Sequence, residues 1–181
     1  NQQIEQQFRL GDNFEFQQRI IPHRLLLVPL TFNAERHYTM YVRVVSTSGL
    51  QVPLILWEVH EFQGYDQTRQ FELGIFYGSL LIMMAYNFFI WLSVRERSYL
   101  FYVIFVMSFG LLLASIDGFT FQYLWPTQVW WNNRAIVIIL ALTLFLSMAF
   151  SKNFLHTARY NPRLNKVLTV YMSLMAVVVA A

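Results

Sequence analysis

Residues 71–93 read FELGIFYGSLLIMMAYNFFIWLS, a stretch with one charge, Glu72 at its start, and none in the twenty-one residues that follow. As a helix it would run about 34 Å at 1.5 Å per residue, slightly more than a hydrocarbon core of roughly 30 Å. A buried helix in a water-soluble protein rarely stays apolar on every side for that length. The stretch therefore predicts a membrane span, with whatever precedes it on one side of a bilayer and whatever follows threaded back through it.

The rest of the 181 residues fits that division. The chain is 56% hydrophobic and 18% aromatic but only 13% charged, about half the usual charged fraction. Residues 1–70 hold six Lys/Arg against seven Asp/Glu, a net charge of −1, whereas residues 71–181 hold seven against three, a net of +4. Most of that positive charge falls in short loops, so the overall +3 does not describe a nucleic-acid surface. It is the bias of loops that face an anionic cytoplasmic leaflet. The absence of cysteine excludes disulfides, cysteine-type zinc sites and thiol catalysis within these residues. The polar start at Asn1 and the apolar finish MSLMAVVVAA lead us to expect a piece of a longer protein.

Three further spans are expected, at 99–116, 134–151 and 167–181, the last cut short. Only residues 94–98 separate the first two, so those must form an antiparallel hairpin. Loop charge orients the set. Arg95 and Arg97 follow the first span, and Lys152, Arg159, Arg163 and Lys166 follow the third, while residues 117–133 carry no Lys or Arg. The positive-inside rule puts the two basic loops in the cytoplasm. The intervening loop, crowded with Phe119, Phe121, Tyr123, Trp125, Trp130 and Trp131, then lies outside, as does the N-terminal region.

That region, residues 1–60, reads as part of an all-β sandwich. Arg24–Leu30 is a short apolar run, Tyr38–Ser46 alternates with Met40, Val42 and Val44 on one face, and Val52–Val59 is a third strand. Phe32–Arg36 is a connection before the second run and Ser46–Gly49 a turn after it. Residues 61–70, EFQGYDQTRQ, read as a polar tether into the membrane.

Each candidate site has two readings. Arg24, Arg43 and Trp57 could bind a small extracytoplasmic ligand such as a carbohydrate, since indole rings stack on sugar faces and guanidinium forks read carboxylates; strand residues of these types also serve as core and solvent-facing positions. Asn87 is either a switch contact or a static hydrogen bond between helices. Gly74 and Gly78 form a GxxxG spacing suited to close helix packing, including a homodimer. Asp117 and Gly118 are a ligand or proton site, or a turn that ends a helix. The loop holding Tyr123, Trp125, Pro126, Trp131 and Asn132 is a ligand vestibule or an interfacial anchor. Residues 154–167 mix basic and apolar positions, as an interfacial segment or a plain topology signal does. The four histidines lack metal-ligand spacing, and no phosphate loop, dinucleotide fingerprint or nucleophile elbow occurs. Neither a metal, a cofactor nor a catalytic residue is expected.

Three segments together resemble one family, the bacterial seven-transmembrane receptors with diverse intracellular signalling modules. They are the hairpin GIFYGSLLIMMAYNFFIWLSVRERSYLFYVIF, the outer loop DGFTFQYLWPTQVWWNN and the linker FLHTARYNPRLNKVL. Upstream, GDNFEFQQRIIPHRLLLVPL and YTMYVRVVSTSGLQVPLILWE are similar to the later half of the jelly-roll sensor domain that precedes such bundles. The resemblance implies a periplasmic sensor sandwich, seven helices in the bacterial inner membrane and a cytoplasmic output module in cis, often a diguanylate cyclase or histidine kinase. The rival reading is a multi-pass transporter or channel with an extracytoplasmic binding module. It predicts charges at mid-membrane depth and interrupted helices. The second and third spans have no acid or base in their middles, and no span contains Pro.

Overall fold

The computed structural model describes residues 6–33, 37–45 and 52–180. The chain divides into two compact units, residues 29–75 and residues 1–28 with 76–181. The described residues form six α-helices: α1 (Val59–Val94), α2 (Arg97–Ile116), α3 (Phe119–Tyr123), α4 (Val129–Phe154), α5 (Thr157–Tyr160) and α6 (Pro162–Ala180). Of these, α1, α2 and α4 are long and apolar enough to cross a membrane.

Within the larger unit, α4 is central, packing against α2 on one side and α6 on another. In lipid the hydrophobic effect no longer drives helices together, so close approach and interhelical hydrogen bonds must do so. The buried positions show both. Ala135, Ala141 and Ala149 line α4, and Ser108 on α2 meets Thr143 on α4 with their hydroxyls 2.8 Å apart. Thr143 donates its own proton to the Ile139 carbonyl at 2.7 Å, which leaves its oxygen to accept from Ser108. Toward the other end, Phe105 and Phe150 stack with parallel rings 6.4 Å apart, and Tyr102 meets Phe150 edge-on.

The connections are economical. Between α1 and α2 only Arg95 and Glu96 lie outside a helix, and Arg95 takes the left-handed conformation at φ 60° with its N–H on the Trp91 carbonyl. That position at a helix end usually falls to glycine. Helix α6 starts with Pro162 at its first position, where a missing N–H costs nothing, and the Asn161 side chain caps it by accepting from the Leu164 N–H at 3.1 Å. The residues expected as a fourth span fall in α6, which begins five residues before residue 167, carries Arg163 and Lys166 in its opening turns and is not among the described helices long and apolar enough to cross a membrane.

The expected β-sandwich is not visible. Among the described residues before Val59 there is no strand, only a 3-10 turn at Phe16–Gln18. The alternation at 38–45 is present in sequence, yet Met40 on the apolar face is 62% exposed and Tyr41 on the other 83%. A strand exists only through a ladder to a neighbour, and these described runs have no ladder. The turn at Ser46–Gly49 and residues 34–36 of the Phe32–Arg36 connection lie outside the described residues.

In the smaller unit, residues 61–70, the stretch read as a polar tether, are helical and form opening turns of α1. Side-chain pairs at helical spacing support them: Gln70 donates to Asp66 at 2.5 Å and Arg69 pairs with Glu72 at 3.1 Å.

Candidate functional site

At one end of the larger unit, residues 11–24 lie against the segment that joins α2 to α4. Arg19 fixes the arrangement. Its side chain is only 6% exposed, and its guanidinium donates to Asp12 at 2.9 Å, to the His23 carbonyl at 2.8 Å and to the Arg24 carbonyl at 3.1 Å. The same group lies 4.8 Å from the Phe16 ring centre and 5.5 Å from that of Phe121, and those two rings meet edge-on at 5.8 Å. Burial lowers the pKa of Arg19 from its ordinary value while Asp12 raises it, and the group stays charged. A planar fork that can donate along its edge while stacking on its faces suits this place better than an ammonium would.

Two further contacts complete the seam. The Phe16 N–H donates to the Pro126 carbonyl at 2.9 Å, and the Asn133 side chain donates to that of Asn13 at 3.2 Å. Beneath them, the Trp125 indole N–H donates to Asn132 at 3.2 Å, and its ring packs edge-on against Trp131 at 6.1 Å. Trp125 and Trp131 in turn rest on the buried cluster of Leu112, Ala135 and Ile139. Tyr123 stays 70% exposed, stacked on Phe119 at 6.4 Å.

The corner at residues 117–119 closes α2 and opens α3. Gly118 sits at φ +82°, a conformation disfavoured for residues with a Cβ, and a Cβ there would stand 3.1 Å from the Arg24 carbonyl oxygen. Asp117, just before it, accepts a hydrogen bond from the Tyr77 hydroxyl of α1 at 2.7 Å. Phe119, just after it, meets the Tyr77 ring edge-on at 6.0 Å and carries the Arg24 guanidinium 5.6 Å above its own ring.

Of the residues singled out in the sequence, Asp117, Gly118, Tyr123, Trp125, Pro126, Trp131, Asn132 and Arg24 all belong to this one cap. Arg43 and Trp57 fall in the other unit, where Arg43 is exposed and Trp57 stacks on Tyr65 at 5.0 Å. Asn87 donates to the Met83 carbonyl of its own helix at 2.9 Å. Gly74 and Gly78 have nothing within 4 Å of where a Cβ would stand. Sequence reading missed Arg19, Phe16 and the part played by Tyr77. The contacts that place them in the cap, Tyr77 with Asp117 and Phe16 and Arg19 with Phe121, join residues 40 to more than 100 positions apart, and nothing local marks those.

No curated protein and no solved structure matches the chain. A family model described as 7TMR-DISM extracellular 2 matches residues 1–58, and one described as 7TM diverse intracellular signalling matches residues 69–181. The cap is therefore built from both matched parts, residues 11–24 from the first and Tyr77 with residues 117–133 from the second. With the second match taking in more than half of its length, the chain belongs to the 7TM diverse intracellular signalling family, multi-pass membrane receptors with an extracellular domain.

Proposed function

We propose that this chain is the sensing and transmembrane part of a bacterial inner-membrane receptor. Its N-terminal domain, outside the cytoplasm, binds a carbohydrate or another small molecule, and the bundle relays occupancy to a cytoplasmic output module on the same polypeptide. A diguanylate cyclase or a histidine kinase is the class of module that suits the family. A ligand can act in this way only by binding two arrangements of the bundle with different affinity. What supports the reading is the cap, where a buried guanidinium ties residues of the extracellular match to the loop that joins two spans. A sensor attached by nothing but a flexible linker would need no such contact.

The charge bias of the loops sets the orientation, and the 181 residues are free of cysteine, so single thiols introduced here, with any cysteine elsewhere in the full-length protein replaced, report it. In intact cells, Tyr123→Cys in the full-length protein should react with a membrane-impermeant maleimide, and Tyr160→Cys should react only after the membrane is opened. Both positions are exposed. Labelling of Tyr160→Cys alone in intact cells would invert the topology and remove the receptor reading.

A further inference from the structure

We propose that Asp117, Gly118 and Phe119 form a latch through which residues 19–24 set the position of α1 against α2. The inference rests on the receptor reading for its purpose and on geometry for its mechanism. Four contacts make it a continuous path. The Arg24 carbonyl lies against Gly118, and the Arg24 guanidinium lies over Phe119. The left-handed turn at Gly118 fixes the angle between Asp117 and Phe119. Tyr77 then meets both of them, through its hydroxyl and its ring respectively.

Helix α1 depends on such a tie because its packing against α2 is loose. A groove of about 430 Å³ opens between Tyr77, Leu80 and Met84 on one side and Met107, Gly110 and Ala114 on the other. Ser79 and Asn87, polar side chains on the same stretch of α1, turn back onto the carbonyls of Phe76 and Met83. Tyr77 reaches across instead, to a residue 40 positions away. The bond is part-buried and made to a carboxylate, a stronger kind than one between neutral groups, so releasing it frees the outer part of the span. Displacing residues 19–24 would withdraw the support behind Gly118 and Phe119, and Asp117 would leave the place where Tyr77 finds it.

The test uses the full-length protein in native membranes, cleared of other thiols, with Leu80→Cys and Gly110→Cys introduced. Leu80 Cδ1 stands 3.6 Å from where a Cβ on Gly110 would be, so the rate of disulfide formation reports how closely α1 and α2 stay together. Tyr77→Phe should slow that rate by about tenfold, the factor that corresponds to a lost hydrogen bond of about 1.4 kcal/mol. Gly118→Ala should slow it comparably with Tyr77 and Asp117 both intact. Arg24→Ala, which leaves the turn untouched, should slow it by about threefold, while Ser79→Ala should leave it unchanged. Wild-type rates in Tyr77→Phe would overturn the latch. Wild-type rates in both Gly118→Ala and Arg24→Ala would equally overturn it, since residues 19–24 would then have no hold on α1. Slowed cross-linking with wholly unchanged signalling output would uphold the latch and count against the receptor reading alone.

Discussion

Replacing Arg19 by alanine is the most direct challenge to the cap. The guanidinium makes five contacts there, and their values differ. The pair with Asp12 contributes less than about 1 kcal/mol, because Asp12 is 60% exposed and water screens it. The His23 and Arg24 carbonyls each lose a donor, at about 1 kcal/mol apiece. The two ring contacts contribute about 0.5–1 kcal/mol each. Only the Phe121 ring lies across the seam; the other four contacts hold residues 12–24 in the shape that docks. Because that shape forms with docking and neighbouring losses overlap, we expect the docked, ordered state to weaken by about 3 kcal/mol, or roughly a hundredfold in its equilibrium constant. The Phe16 amide is the reporter, since it is held by the Pro126 carbonyl across the seam. In hydrogen exchange on the membrane-embedded protein, that amide should exchange about a hundred times faster in Arg19→Ala, while amides in the middle of α4 keep their protection. Arg19→Lys keeps the charge without the planar fork and should recover less than half of the loss. Unchanged exchange at Phe16 in Arg19→Ala would refute the claim that this side chain holds the seam.

Three further outcomes follow from the bundle. Ser108→Ala and Thr143→Val should each cost about 0.6–1.7 kcal/mol in a detergent unfolding titration, and the double variant should cost little more than either alone, because both remove one bond. Arg95→Gly should stabilise the α1–α2 hairpin by about 1 kcal/mol in the same titration, since the native φ of 60° strains an L-residue. Asn87→Leu should change the unfolding free energy by less than about 0.6 kcal/mol, because its amide is satisfied within its own helix; a loss several times larger would point to a partner on another helix.

The spans were legible because hydropathy is a local property: a window of residues 71–93 or 99–116 is enough to identify a crossing helix without reference to the rest of the chain. The opening of α1 was not, although a signal for it existed. Residues 61–70 read as a polar tether by composition, yet they hold Asp66 and Gln70 at i,i+4 and Arg69 with Glu72 at i,i+3, the spacings that stabilise an exposed helix. The β pattern at 38–45 was legible as alternation, but alternation states only which faces a strand would have, and a ladder requires a second strand to accept it. The loop at 117–133 stands out in the sequence through its rings, and the structure gathers those residues into the cap. Their partner across the seam does not stand out, because Arg19 is an ordinary arginine in a polar stretch until Phe121 is brought to it from a hundred positions away.

The helical start of α1 has a mechanical consequence. From Val59 to Val94 the helix holds 36 residues, about 54 Å of continuous backbone at 1.5 Å per residue, far more than the thickness of the oily layer. Losing a single residue near Gly64 would swing everything below it by about 100°, and losing seven would bring it back almost into phase. The stretch that reads as a polar tether is helix, so a deletion there changes rotational phase as well as length.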